Sequence, residues 1–397
     1  MSWPVVKLGD ICDLFNGYAF KSADYVDESN TLSCRMSNIR PGGKFDIEYN
    51  ARYLPDDFVE KYEQFLLKNG DVVIAMTDLA DSPKILGVPT IIKTNGKSIL
   101  LNQRVGKLII KELNKVHFPY LQLALNSSKV RSIYKRFAGG GLQINLGKAD
   151  LLSVEIPLPP LEEQQKIAAI LDAADSLRQK DQQLIDKYNA LSQSLFFDMF
   201  GDPETNPMGW DIEPFDYFAS IDTQMTTDFV KYANVPHIGI ANIEKGTGKL
   251  INYNLVKDEN LTSGKYIFTP EHITYSKIRP NLNKVALPSF NGLSSAGSYP
   301  ILVHHNKANK LFFTYILRSA FFLDFILQHS TRTNIPKANK SQMKLFKGIA
   351  PPISIQNKFG ELIQSIESQK HLAQTSLQKS EALFNSLLQR AFNGELS

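Results

Sequence analysis

Pro159-Pro160-Leu161-Glu162-Glu163-Gln164-Gln165-Lys166 opens a run that ends at Phe200-Gly201-Asp202-Pro203. Between them Ile167, Ile170/Leu171, Ala174, Leu177, Leu184, Tyr188, Leu191, Leu195 and Met199 recur in steps of three and four. That spacing predicts one long helix with a coiled-coil seam and not a broad core-facing stripe. Proline suits the first helical turn, and Glu162 and Glu163 sit where the helix dipole favours carboxylates; Gly201 and Pro203 supply the stop. About forty residues at 1.5 Å each make a rod on the order of 60 Å, a spacer.

A second copy lies near the C-terminus. Pro351-Pro352-Ile353-Ser354-Ile355-Gln356-Asn357-Lys358 leads into Phe359, Ile363, Ile366, Ala373, Leu377, Phe384, Leu387 and Ala391, and the run closes at Asn393-Gly394. Sliding the first rod by 192 positions lays Pro159 on Pro351, Gln164 on Gln356, Lys166 on Lys358 and Phe200 on Phe392. A long-period repeat decides architecture. The chain is expected to be globule plus rod, twice: head one over 1–150, a central rod over 151–206, head two over 207–345 and a C-terminal rod over 346–397. The seams need burial, and an antiparallel pair is the simplest packing. It would bring the chain's end near Trp3 in a circular, pseudo-two-fold arrangement, with Asp181 and Lys370, the polar residues at mid-seam, close together.

The fold class expected is α/β, with two heads of small mixed sheet plus helices. In head one, strands are expected at Val72–Thr77, Ile85–Ile92 and Val105–Ile110, with a turn at Asn95-Gly96. A helix is expected over Phe118–Phe137, stopped by Gly139-Gly140-Gly141. Head two repeats the order: Ala241-Asn242-Ile243 echoes Ser37-Asn38-Ile39, His272–Lys277 echoes Val72–Thr77, Tyr299–His304 echoes Val105–Ile110, and an apolar helix over 311–327 echoes 118–136. Loop residues differ almost everywhere, as in two readers of different things.

A length of 397 residues allows two or three domains with real cores. Cys12 and Cys34 are the only cysteines, which argues for a reducing compartment and against a structural zinc site. No signal peptide is read at Met1-Ser2-Trp3-Pro4. The greasy stretch Leu311–Leu327 carries Arg318 and Asp324, so a core helix is expected there and not a membrane span. A soluble, cytoplasmic protein is expected. The net charge of +4 is segregated. Residues 1–150 hold 20 basic and 16 acidic side chains and 207–345 hold 15 and 10, while the first rod holds 4 and 10. Basic heads on an acidic rod suit a polyanion held by the heads, although such a surplus is also common on domains of this size.

No catalytic constellation is found. Gly96-Lys97-Ser98 has Ile91 where a phosphate-binding loop needs its first glycine. Asn206-Pro207-Met208 fails the Asn-Pro-Pro-aromatic pattern of amino-methyltransferases. Phe137-Ala138-Gly139-Gly140-Gly141 follows a helix and reads as its stop. His304-His305-Asn306 lacks a third ligand nearby, and Pro55-Asp56 lacks the acidic-x-Lys partner of a nuclease site.

Ile156-Pro157-Leu158-Pro159-Pro160-Leu161-Glu162-Glu163-Gln164-Gln165-Lys166-Ile167 closely resembles the central conserved region of the specificity subunits of type I restriction-modification systems. Asn16-Gly17-Tyr18-Ala19-Phe20-Lys21-Ser22 is similar to the opening of their target recognition domains, and Tyr275-Ser276-Lys277-Ile278-Arg279-Pro280 to a strand-to-loop motif in them. Two departures stand out: Glu271-His272 replaces Gly70-Asp71, and Ser354-Ile355 replaces the acidic pair of the first rod. The resemblance implies two target recognition domains, each reading half of a bipartite site in double-stranded DNA. It implies rods that set the spacer and dock two modification subunits, with up to two restriction subunits added. S-adenosylmethionine, and ATP with Mg, are then expected on the partners and no cofactor, metal or catalytic residue in this chain.

Lysine and arginine contacts to phosphate should set affinity and register, and a few polar side chains should read base edges. Candidates in head one are Arg35, Asn38, Arg40, Lys44, Gln103, Arg104, Gln143 and Asn145. In head two they are Asn242, Lys245, Lys277, Arg279, Asn281, Asn283, Lys284, Arg332 and Asn334. Two rival readings are the recognition part of a split methyltransferase or restriction enzyme of another type, and a purely structural coiled-coil adaptor.

Overall fold

A computed structural model describes residues 3–81, 83–137, 142–330 and 336–396. The chain divides into two compact units, Met1–Lys180 with Ser376–Ser397, and Asp181–Thr375.

In the first unit Val5–Lys7 pairs antiparallel with Glu155–Pro157, clasping the start of the head to the segment that leads into the first long helix. Two sheets follow. One has the order Cys12–Asn16, Val105–Ile110, Val72–Ala75, Pro89–Ile91, all antiparallel. The other places Thr31–Cys34 between Tyr53–Leu54 and Ser98–Leu101, and its pairing with the latter is parallel. Val72–Ala75 is wholly buried, as an unbroken β-branched run should be.

Only the end of the expected strand Ile85–Ile92 is extended. The Asp78 carboxylate accepts the amides of Ile85 (2.5 Å) and Leu86 (2.9 Å), which holds the earlier part as a loop. Asn95 and Gly96 both have positive φ, yet their turn joins strands of different sheets and makes no hairpin. The helix expected over 118–137 is two, Phe118–Leu125 and Ser128–Phe137. Ser127 Oγ accepts the Val130 amide and starts the second, a role serine fills better than a helix interior. The glycine stop at 139–141 lies outside the described residues.

The second unit repeats this plan. Ile212–Pro214 pairs with Lys347–Ile349 as the clasp. One sheet runs Ala219–Ile221, Ser298–Val303, His272–Ser276, Val285–Ala286, and the other contains Pro236–Ile238 parallel to Gly292–Ser294. Ala75 faces Val105 and Ser276 faces Ser298, so the repeat aligns Lys277 with Met76, one residue off the sequence alignment. The apolar helix is again two, Lys310–Arg318 and Ala320–Gln328, bent by 57° where Ser319 Oγ accepts the Phe322 amide. Phe312, Phe313, Ile316, Phe322 and Ile326 are buried in the core. Among the described residues no single helix is long and apolar enough to cross a membrane.

The long helices are Leu161–Phe200 and Ile353–Phe392. Within the first unit Ile167, Ala168 and Leu171 share a core with Phe384, Leu387 and Ala391, and Arg178 stands over the Phe384 ring. Within the second, Phe196 and Phe200 meet Phe359 at 5.7 and 5.2 Å. In each unit an early stretch of one helix meets a late stretch of the other, which is antiparallel pairing. Trp3 Nε1 donates to Ala391 O and Trp210 Nε1 to Phe200 O, each taking up a carbonyl at a helix end that has no partner in its own helix. Leu396 lies in the core of the first unit, so the chain's end does return to its start. Lys370 ion-pairs with Glu367 one turn back on its own helix, and Asp181 is buried.

One expectation fails on the first long helix. Leu177, Leu184 and Leu191, expected on the seam, are 46, 41 and 49 % exposed, as is Ile170 at 41 %. The buried seam is Ile167, Leu171, Ala174, Asp181, Ile185, Ser192 and Phe196. Both rows repeat every seven residues and lie side by side, and a single partner helix covers only one.

Candidate nucleic-acid interface

In the first unit Cys34 lies opposite Leu101 in the parallel pair, so the chain leaves both strands at one edge. Arg35 emerges from one strand and Asn102-Gln103-Arg104 from the other. The carboxyl ends of parallel strands are where α/β sheets present groups to ligands. Here they border a cleft of about 240 Å³ lined by Phe20, Ser22, Tyr25, Arg35, Met36, Ser37, Asn102, Gln103 and Arg104. The opening motif builds its wall. Tyr18 N donates to Leu101 O and Gln103 N to Tyr18 O, both at 2.9 Å. A Cβ on Gly17 would stand 2.3 Å from Asn102 O, so only glycine permits this approach.

Asn102 is a bracket: its Oδ1 accepts the Arg104 amide and its Nδ2 donates to Tyr25 Oη. Arg104 is exposed and Arg35 half-buried, and among the described residues neither guanidinium has a partner. The Ser37 hydroxyl is buried and also unpartnered. The cleft therefore offers hydrogen-bond donors between two aromatic walls, with no carboxylate in its lining.

Asn38, offered as a base reader, does something else. It is buried, and its Nδ2 donates to Asp46 O, Ile47 O and Tyr49 O while its Oδ1 accepts the Arg35 amide at 2.8 Å. Buried and so engaged, the side chain is withheld from a base; it closes its own loop and fixes the Arg35 backbone. Arg40 stacks over the Tyr49 ring at 3.5 Å, and Lys44 is exposed on the same loop. Gln143 and Asn145 lie on a strand paired with Thr77–Leu79, away from the cleft lining, and Asn145 Oδ1 is taken by Thr77 Oγ1. Phe20, Tyr25 and Ser37 were not among the candidates. The first belongs to the opening motif, which could have flagged it; the others carry no signal of their own.

In the second unit the parallel pair ends with Ile238 opposite Ser294, and Gly239 and Ser295-Ala296-Gly297 leave at the same edge. The backbone bonds match: Val105 N to Asn102 O and Ser298 N to Ser295 O, Met76 N to Arg104 O and Lys277 N to Gly297 O. Arg35, Asn102, Gln103 and Arg104 thus correspond to Gly239, Ser295, Ala296 and Gly297. Charge is supplied from another position. Lys277 Nζ stands 4.6 Å from the Tyr299 ring centre. Burial, then Lys337 and Lys340, hold its pKa below the ordinary lysine value. The hydroxyls of Ser294, Ser295 and Ser298 are buried without partners. Lys337 and Lys340 were also missed, since only the fold brings them to Lys277.

Asn242 repeats the role of Asn38: it donates to Ile251 O and Asn252 O and accepts the Gly239 amide. Asn283 has positive φ and donates to Arg318 O, and Lys284 Nζ donates to Ile240 O, so both hold loops. Lys245, Arg279 and Asn281 are exposed. Arg279 has φ of 51°, a left-handed conformation held by its amide donating to Pro336 O. Arg332 and Asn334 lie outside the described residues.

Comparison with known proteins points the same way. Residues 1–187 match the family model described as the type I restriction modification DNA specificity domain. Over 198 residues the chain is 31% identical to the EcoDI specificity subunit of Escherichia coli, covering 48% of this chain and 43% of that protein. Over 189 residues it is 32% identical to the MjaVIII specificity subunit of Methanocaldococcus jannaschii, covering 47% and 43%. The chain thus spans less than half the length of these two relatives. Likeness of fold extends further. A type I restriction-modification S subunit from M. genitalium superposes with a TM-score of 0.63 at 16% identity, over 99% of this chain and 96% of that one. A chain from a structure describing complex assembly of a type I restriction-modification system gives 0.54 at 14% identity, over 100% and 98%.

Proposed function

We propose that the chain is a specificity subunit of a type I restriction-modification system, the family whose DNA specificity domain matches residues 1–187 and whose members are 31% and 32% identical over nearly half of the chain, and that it is the non-catalytic part of such a system that selects DNA sequence. Each head reads one half of a bipartite double-stranded site. The observation that carries this reading is the shared frame with exchanged side chains: Arg35, Gln103 and Arg104 at one edge of the first head, Gly239, Ala296 and Gly297 at the same edge of the second. A scaffold kept while its rim changes is what two readers of different half-sites need. Exposed Lys44, Lys245 and Arg279 are suited to phosphate, which supplies affinity without sequence preference.

The long helices, in this reading, join the heads and dock two modification subunits. The exposed row Ile170, Leu177, Leu184 and Leu191 supports it, because an apolar row at heptad spacing fits a partner's helix. Exposed Glu162, Asp172 and Asp186 make the helix unsuited to lie on DNA. S-adenosylmethionine would be bound by the modification subunits, and ATP with Mg by any restriction subunits. The test is duplex binding by the chain, alone and with its methyltransferase, across a salt series, together with sequencing of methylated sites in cells with and without the gene. Binding that weakens as salt rises, and a bipartite methylated sequence that vanishes with the gene, are expected. Absence of DNA binding in both forms would overturn the reading and leave that of an adaptor.

A further inference from the structure

Resting on the reading that the chain selects DNA, we infer that the first head reads guanine through Arg35 and Arg104, and that the second head has no such reader at the equivalent place. The two arginines are 69 positions apart in sequence and are brought to one cleft by the parallel register of Cys34 with Leu101. Both are aimed from a fixed backbone. Arg35 N donates to Asn38 Oδ1 and Arg35 O accepts the Asn38 amide. Arg104 N donates to Asn102 Oδ1 and Arg104 O accepts the Met76 amide. The side chains have no partners among the described residues, and no carboxylate lines the cleft to neutralise them.

A guanidinium only donates hydrogen bonds. Among base edges in the major groove, guanine alone offers two adjacent acceptors, N7 and O6; adenine pairs an acceptor with a donor. Phosphate is the other acceptor-only target, but a contact made for phosphate alone needs charge and little direction. Here Phe20 and Tyr25 wall the cleft, and Gln103 and the unpartnered Ser37 hydroxyl share it. A site that holds the backbone under both arginines and adds neutral polar groups is suited to reading an edge. In the second head Gly239 and Gly297 stand where the arginines would be, and a Cβ on Gly297 would come within 2.3 Å of Ile240 Cδ1. Guanine reading through this edge therefore belongs to the half-site of the first head, and the other half-site is the control for the arginine variants.

The experiment is selection of duplexes with a randomised central stretch by the full chain, alone and in complex with its methyltransferase, wild type and with Arg35→Lys, Arg104→Lys, Arg35→Met or Arg104→Met. Among the described residues neither guanidinium has a hydrogen-bond, ion-pair or ring partner, so these variants break no polar contact of the fold. Wild type is expected to enrich guanine at one or more positions of the half-site whose preference the arginine variants change. Lysine keeps the charge and loses the planar fork. Each Met variant should lose about tenfold or more of the preference at one base pair, and each Lys variant, whose ammonium can still donate to guanine, should keep the salt dependence and more of that preference, with the other half unchanged. Met variants that keep the wild-type consensus, or that weaken all duplexes alike with a shallower salt slope, would assign the arginines to phosphate and overturn the inference. A wild-type consensus without guanine in either half would also overturn it. If wild type enriches no sequence at all, it is the DNA reading itself that fails.

Discussion

Gln164 and Gln356, 192 positions apart, are both fully buried and make the same three contacts. Gln164 donates to Lys115 O and Pro159 O and accepts the His117 amide, all at 2.8 Å. Gln356 donates to Lys307 O and Pro351 O and accepts the Asn309 amide. Each glutamine ties the first turn of a long helix to the segment that opens its own head's helix pair. Gln164→Ala would strand an amide and two carbonyls, at about 1–3 kcal/mol for each group that stays buried. A lowered urea midpoint is expected, with Gln164→Glu at least as damaging at pH 7 because a carboxylate cannot donate to two carbonyls. Lys277 is the opposite case, a residue placed at a cost to the fold. Replacing it with the methionine that the first head carries at this position should raise the thermal midpoint and weaken duplex binding. The sign with pH follows from its lowered pKa. Between the folded value and the ordinary one near 10.5 the unfolded chain binds more protons, so wild-type stability rises with pH there. The advantage of Lys277→Met should be full at neutral pH and shrink as pH climbs towards 10.5, which melting curves across that range would reveal.

Two adjacent rows on one helix have different fates. Leu171 is wholly buried and Ile170 beside it is 41 % exposed. Leu171→Ala should cost about 2–5 kcal/mol of stability, as core truncations do. Changing Ile170, Leu177, Leu184 and Leu191 together to glutamine should shift stability little, within about 0.5 kcal/mol for each site. The same fourfold variant is expected to lose co-purification with the methyltransferase chain. Retained co-purification would remove the docking role from this row. The helix pairs in the heads behave as elements for a similar reason: Ser319 ends one helix and caps the next, and Ser319→Ala should cost about 1 kcal/mol through loss of the cap.

For the molecule as a whole, the proposed division of labour is that heads choose bases and helices choose separation. Four residues inserted near Gln182-Gln183 add about one helical turn, roughly 6 Å, against about 3.4 Å per base pair along a DNA strand. The unread spacer between half-sites should lengthen by about one or two base pairs while both half-sites persist. Exchanging residues 1–150 for another family member's head should change one half-site and leave the spacer alone. Sequencing the methylated sites of both variants checks the pair of outcomes, and a half-site altered by the helix insertion would count against the division.

What the sequence determined by itself is local or repeated. Proline entry, an acidic first turn and a glycine stop bound the first long helix at Leu161–Phe200, and the offset of 192 transferred those limits to Ile353–Phe392. Val72–Ala75 was legible because a run buried on both faces needs no partner to declare itself. The tertiary structure decided what depends on a distant neighbour. Leu171 and Leu177 both sit in heptad rows, and only the packed partner helix separates buried from exposed. Asn38 and Asn242 read as base contacts until the loops they close are seen, since an amide is as well satisfied by two or three carbonyls as by an adenine. Arg35 and Arg104 meet because strands far apart in sequence pair in parallel. No local preference encodes that register; it is selected by burial of both strands in one sheet.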